Sequence, residues 1–204
     1  MERKLAEGIS VLFHPVLIPL YGSAIMLFQD GYLTLILPAD ARLTILGIIF
    51  VMTVLAPLGM ILVMKRINII SSYRIEKQKE RPLPFLGAGF AFYLTYMLIK
   101  SFSIPGYYNL FLLGAALLVV LALIINRFWK ISIHLLALGG LTGILIAVSP
   151  YPFSIDHLYT YLIVLISGIT GFARLRASNH TPAQVYVGYL TGLVFMFGLF
   201  ELAA

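Results

Sequence analysis

The chain contains no cysteine, so disulfides and thiolate metal sites are closed to it. It is also short of charge. Only 11% of its residues are charged, where a soluble domain carries about a quarter. Ionisable side chains are almost missing from the middle of its apolar runs. That counts against a transporter, whose ion or proton path needs such groups inside the membrane. No linker, repeat or low-complexity tract breaks the pattern. Nor does a cleavable signal peptide fit the start: the apolar run from Ile9 is long, with no small-residue cleavage site behind it.

What fills the sequence is apolar surface. Hydrophobic residues make up 61% of its 204 positions, with a mean hydropathy of +1.00. Seven apolar segments are read at about 9–29, 42–64, 83–101, 107–126, 132–149, 157–173 and 183–203. Turn chemistry separates them, as in "QDGY", "SIPGYY" and "SPYPFSID". The expectation is one integral membrane domain over 1–204, an all-α polytopic transmembrane bundle of about six to seven spanning helices. The net charge of +6 fits cytoplasmic loops and anionic headgroups and does not imply nucleic acid.

Alternate loops fall on opposite faces of such a bundle. Every basic residue except Arg42 and Lys100 then lies on the face shared by the N-terminus and the loops near 65–82, 127–131 and 174–182. The positive-inside rule makes that face cytoplasmic, with the plasma (inner) membrane as the expected location. His14, His134 and His180 fall on it too, and His157 on the other.

Three clusters meet at the basic face: "RIEKQKERP", "KISIH" and "ARLRASNH". Arg74 and Arg81 stand seven residues apart, two turns of a helix. A helix over 74–81 is therefore predicted, capped by Ser71 or Ser72 and ended by Pro82. Arg174 adds a third guanidinium, and forked guanidinium donors suit phosphate. His134 and His180 titrate near neutral pH and serve for attack and proton transfer. Taken singly, each cluster also reads as ordinary anchoring. Lys130 and Arg127 beside Trp129 are snorkelling cations. His14, followed by Pro15, reads as shaping the start of the first helix and is left outside the set.

Together these residues resemble the type 2 phosphatidic acid phosphatase superfamily over roughly 70–190. Its motifs are Lys-x6-Arg-Pro, Pro-Ser-Gly-His and Ser-Arg-x5-His-x3-Asp. Arg74 through Arg81-Pro82 matches the first, with Arg for Lys. Ser132-Ile133-His134 matches the second without its Pro and Gly. Ala173-Arg174 through His180 matches the third, with Ala for Ser. The resemblance implies a helical bundle with a phosphate pocket at one membrane face and no metal or other cofactor. Arg74, Arg81, Arg174 and Ser132 would bind phosphate. His180 would be the nucleophile, forming a phosphohistidine, and His134 would protonate the leaving group and then activate water.

Gln184 stands where the family has Asp. In a Ser–His–Asp triad the equivalent Asp-to-Asn change lowers kcat by about 10⁴, chiefly by presenting the wrong tautomer of the histidine. Two readings of Gln184 are open: it orients His180, or it closes a capping box with Thr181 at a helix start. The first motif follows two crossings here, where many family members have three, so the site is expected to face the cytoplasm. The expected substrate is a lipid phosphate or pyrophosphate lying among membrane lipids. The alternative is an impaired member that binds lipid phosphate without turnover, as a sensor, carrier or partner subunit. Tyr73, Phe85, Trp129 and Tyr186 either flank the lipid chain or belong to the interfacial aromatic belt. The oligomeric state is not legible.

Overall fold

Proline and glycine punctuation, laid over nearly continuous apolar sequence, decides where the helices break. The structure, a computed structural model, describes residues 2–29, 31–73, 75, 77–102, 104–149, 157–177 and 180–203. Among these every regular element is helical, and six helical stretches are long and apolar enough to cross a membrane. The helices are α1 (Glu2–Leu12), α2 (Ile18–Gln29), α3 (Gly31–Ile36), α4 (Ala39–Ile49), α5 (Ala56–Arg66), α6 (Pro82–Lys100), α7 (Gly106–Phe128), α8 (Ile133–Ala147), α9 (Leu158–Ala177) and α10 (Pro182–Ala203). The all-helical membrane protein expected from composition is what the coordinates contain. They form two compact units, 1–18 with 131–204, and 19–130.

In the first unit α8 is the central element. At 15 residues it is about 22 Å long, short of the roughly 30 Å hydrocarbon layer. It is buried around most of its circumference, so protein rather than lipid covers it. It runs parallel to α10 with backbones almost touching. A Cβ on Gly139 or Gly192 would overlap the Tyr189 or Leu136 carbonyl oxygen, and one on Gly188 would come within 2.8 Å of the Ser132 oxygen. Small residues four apart, Gly139 and Gly143 against Gly188 and Gly192, allow this approach.

The same unit corrects the reading of His14. The first helix begins at Glu2, well before Ile9, and His14-Pro15 interrupts the helical run instead of starting it. Pro15 has no N–H to give and opens a short 3₁₀ turn, Pro15–Leu17. α1 packs against α9 through its inner face and leaves Leu5, Val11 and Leu12 exposed on the other.

In the second unit α6 and α7 pair, and α5 lies against α6. A π-helical stretch, Phe50–Leu55, joins α4 to α5 ahead of Pro57. There the Ala56 N–H reaches Val51 O, and Thr53 Oγ1 donates to Ile49 O at 2.9 Å. The wider turn accommodates a proline that can neither donate nor fit against the carbonyl four residues back.

The helix predicted over 74–81 is not formed. Arg74 lies outside the described residues, Ile75 has φ 46°, and a single 3₁₀ turn covers Gln78–Glu80. Pro82 begins α6 rather than ending a helix, taking the first-turn place where no N–H is missed. An isolated two-turn helix is marginal, and side chains supply this segment's bonds instead. The Glu80 carboxylate accepts from Ser71 N–H at 2.8 Å and Ser71 Oγ at 2.9 Å. Gln78 Nε2 donates to Asn126 O at 2.6 Å, and Asn126 Nδ2 donates back to Gln78 O at 3.2 Å.

Candidate active site

The first unit gathers five of the residues singled out in the sequence: Ser132, His134, Arg174, His180 and Gln184. Each is delivered by a helix end. Ser132 and His134 stand at the start of α8, Arg174 lies in the last turn of α9, and His180 precedes α10. The Ser132 N–H donates to Gln184 O at 3.2 Å, which ties the two helix starts together. Helix N-termini carry partial positive charge and unsatisfied N–H groups. Two of them, with a guanidinium beside them, make a region suited to an anion.

Gln184 fulfils both of its readings. Its Oε1 accepts from Thr181 N–H at 3.2 Å, and its own N–H donates to Thr181 Oγ1 at 3.4 Å, which is a capping box. The same Oε1 lies 2.9 Å from His180 Nδ1. An atom that takes the Thr181 N–H must be the amide oxygen, so His180 has to donate to it from Nδ1. The lone pair of neutral His180 is therefore on Nε2.

His134 is fixed by a different device. Its Nε2 lies 3.0 Å from the Ser10 carbonyl, which can only accept, so Nε2 carries the proton. Nδ1 is left with the lone pair, and no described residue bonds it. His134 is 5% exposed and His180 8%, while Ser132 is fully buried. Ser132 sits where a serine normally caps a helix, yet its side chain makes no capping bond, and its Oγ has no hydrogen-bond partner among the described residues. The His14 ring packs on that of His134, and Arg174 and His180 lie within electrostatic range of it. Buried polar atoms without partners are rare in proteins and call for an explanation.

His14 is the member that sequence reasoning left out. Its ring meets that of His134 edge to face, with centroids 5.4 Å apart. Its only sequence signal was the histidine–proline pair at a helix break.

Arg81 belongs to the second unit. It is 5% exposed; its Nε donates to Ile75 O at 3.3 Å, and NH1 reaches Asn126 Oδ1 at 3.5 Å. Burial pushes its guanidinium below the usual arginine range. These bonds hold the 75–81 segment against the end of α7. Among the described residues no group of three His, Cys, Asp or Glu side chains is arranged to hold a metal ion.

Comparison with protein-family models, with curated proteins and with solved structures finds no match to this chain, so chemistry read from the side chains themselves bears the functional question.

Proposed function

We propose that the chain is a membrane-embedded phosphatase of the type 2 phosphatidic acid phosphatase kind, cleaving a lipid phosphate or pyrophosphate through a phosphohistidine. What carries the reading is the pair of tautomer-fixed imidazoles, His180 and His134, with Arg174 within electrostatic range and the Ser132 hydroxyl without a partner among the described residues. Arg174, Ser132 Oγ and the α8 N-terminus would hold the phosphate oxygens, where charge develops in phosphoryl transfer. The phosphate-binding role of Arg74 and Arg81 rests on the sequence resemblance alone.

His180 Nε2 attacks phosphorus, and the bond to the lipid oxygen breaks. That oxygen takes a proton from His134 Nδ1, loaded beforehand by a monoanionic substrate. Water then gives a proton back to Nδ1 while its oxygen displaces the histidine. The products are inorganic phosphate and, from a lipid phosphate, the lipid alcohol, or, from a lipid pyrophosphate, the lipid monophosphate. A site on the cytoplasmic face is part of the proposal and rests on the charge bias of the loops.

Purified chain in detergent should release phosphate from phosphatidic acid, phosphatidylglycerophosphate or a polyprenyl pyrophosphate without added metal. His180→Ala should abolish release, and turnover surviving that change would remove His180 as nucleophile. One observation favours the second reading, a binder without turnover: Gln184 brings His180 an oxygen but no charge. On that reading the native chain binds lipid phosphate and releases none.

A further inference from the structure

The bond from His134 to α1 joins the centre to an element that the phosphatase resemblance does not include. α1 ends at Leu12, and Ser10 of its last turn and His14 of the break that follows both reach His134 of α8. The Ser10 carbonyl takes the His134 Nε2 proton at 3.0 Å, and the His14 ring abuts the His134 ring at 5.4 Å between centroids. Ser10 is held in turn, its Oγ donating to Ala6 O at 2.9 Å along the buried face of α1. His14 is held by its Nδ1, which accepts from Val16 N–H at 3.5 Å across the 3₁₀ turn. An imidazole hydrogen-bonded on one nitrogen and walled on one side has one orientation and one tautomer left to it.

We propose that the α1 end, through the Ser10 carbonyl and the His14 ring, is a positioning element that locks His134 with its proton on Nε2 and aims Nδ1 at the bound phosphoryl group. The role of Nδ1 in proton transfer rests on the phosphatase reading; the lock itself does not. His14 acts through His134 and is a positioning residue, not one that touches substrate. The placement assigns the working nitrogen of each histidine: Nε2 on His180, Nδ1 on His134.

His14 also caps the Pro15–Leu17 turn, and the rival account is that it does nothing else. Two substitutions separate the accounts. His14→Asn keeps a capping acceptor and removes the ring. His14→Phe keeps an aromatic edge against His134 and removes the acceptor. The full chain, labelled with nitrogen-15 histidine in detergent micelles, reports the protonation of each ring nitrogen by NMR. In the native chain His134 should show a protonated Nε2 and a bare Nδ1, and inorganic phosphate should shift Nδ1 far more than Nε2. His14→Phe should preserve that pattern, while His14→Asn should give a mixture of tautomers. Where turnover is measurable, His14→Asn should lower kcat by about 10- to 100-fold with KM little changed, the signature of a misplaced group. A protonated Nδ1 in the native chain, or a tautomer lost in His14→Phe and kept in His14→Asn, would overturn the proposal. A chain that releases no phosphate would sink the phosphatase reading alone, since the NMR still decides the lock.

Discussion

The Gln184 carbonyl oxygen accepts from Thr181 N–H and His180 Nδ1–H at once, so helix start and imidazole orientation depend on one atom. A glutamate has the same reach and adds a charge. Gln184→Glu is therefore expected to keep the capping box, with about 0.3–1 kcal/mol gained from a carboxylate in the first turn. It should also stabilise the positive charge that His180 acquires on attack, raising kcat by about tenfold or more in phosphate-release assays. Rates left unchanged would mean that the missing charge does not limit this site. The spacing of Arg174, His180 and Gln184 along the chain marks these residues in the sequence alone. Ser10 was not, because it contributes a backbone carbonyl, which every residue has and no motif encodes. His14 was visible only as a histidine before proline, and its use depends on where α1 returns in space.

At the level of elements, helix type was readable and helix ends were less so. Pro82 shows why. Proline is common just past a helix and also in the first turn of the next, so the Arg74–Pro82 stretch supported the wrong one of two punctuations. The loop that exists instead depends on Glu80, whose carboxyl is held below its usual range, chiefly by the Ser71 N–H, then by the Ser71 hydroxyl and by Lys77. A depressed carboxyl stabilises the folded loop above its unfolded pKa, and that contribution disappears as pH falls through the folded value. Amide exchange at Ser71, corrected for its intrinsic pH dependence, should accelerate in the native chain on acidification below the ordinary glutamate range. Glu80→Gln should lose that acid dependence. The contact between α8 and α10 was equally hidden, since glycines four apart are common in apolar sequence and only some meet a partner. Gly192→Ala should cost about 1–3 kcal/mol, because the new methyl overlaps the Leu136 carbonyl oxygen. Gly198→Ala lies on the same helix with nothing within 4 Å of the added carbon, and it should be neutral or better. Thermal unfolding of both in one detergent makes the comparison. Equal midpoints would deny the close packing.

For the molecule as a whole, composition was the strongest signal. So apolar a chain has few ways to satisfy its backbone except helices in lipid. The proposed orientation rests on charge alone. With Arg42 and Lys100 on one side and the other basic residues opposite, the 67–81 loop and the α9–α10 turn should share the cytoplasmic face. The absence of cysteine gives a clean background for testing this. Lys79→Cys and Thr181→Cys, both at exposed positions, should react with a membrane-impermeant maleimide in inside-out vesicles and stay protected in right-side-out ones. Asp40→Cys and Ser101→Cys, also exposed, should show the reverse. Labelling of positions 79 and 181 from opposite sides would separate the first basic cluster from His180 by the thickness of a bilayer. The three-motif phosphatase reading would then fail, whatever the arrangement around His134. Labelling from one side, but the external one, would keep the three clusters together and move the reaction to lipids of the outer leaflet.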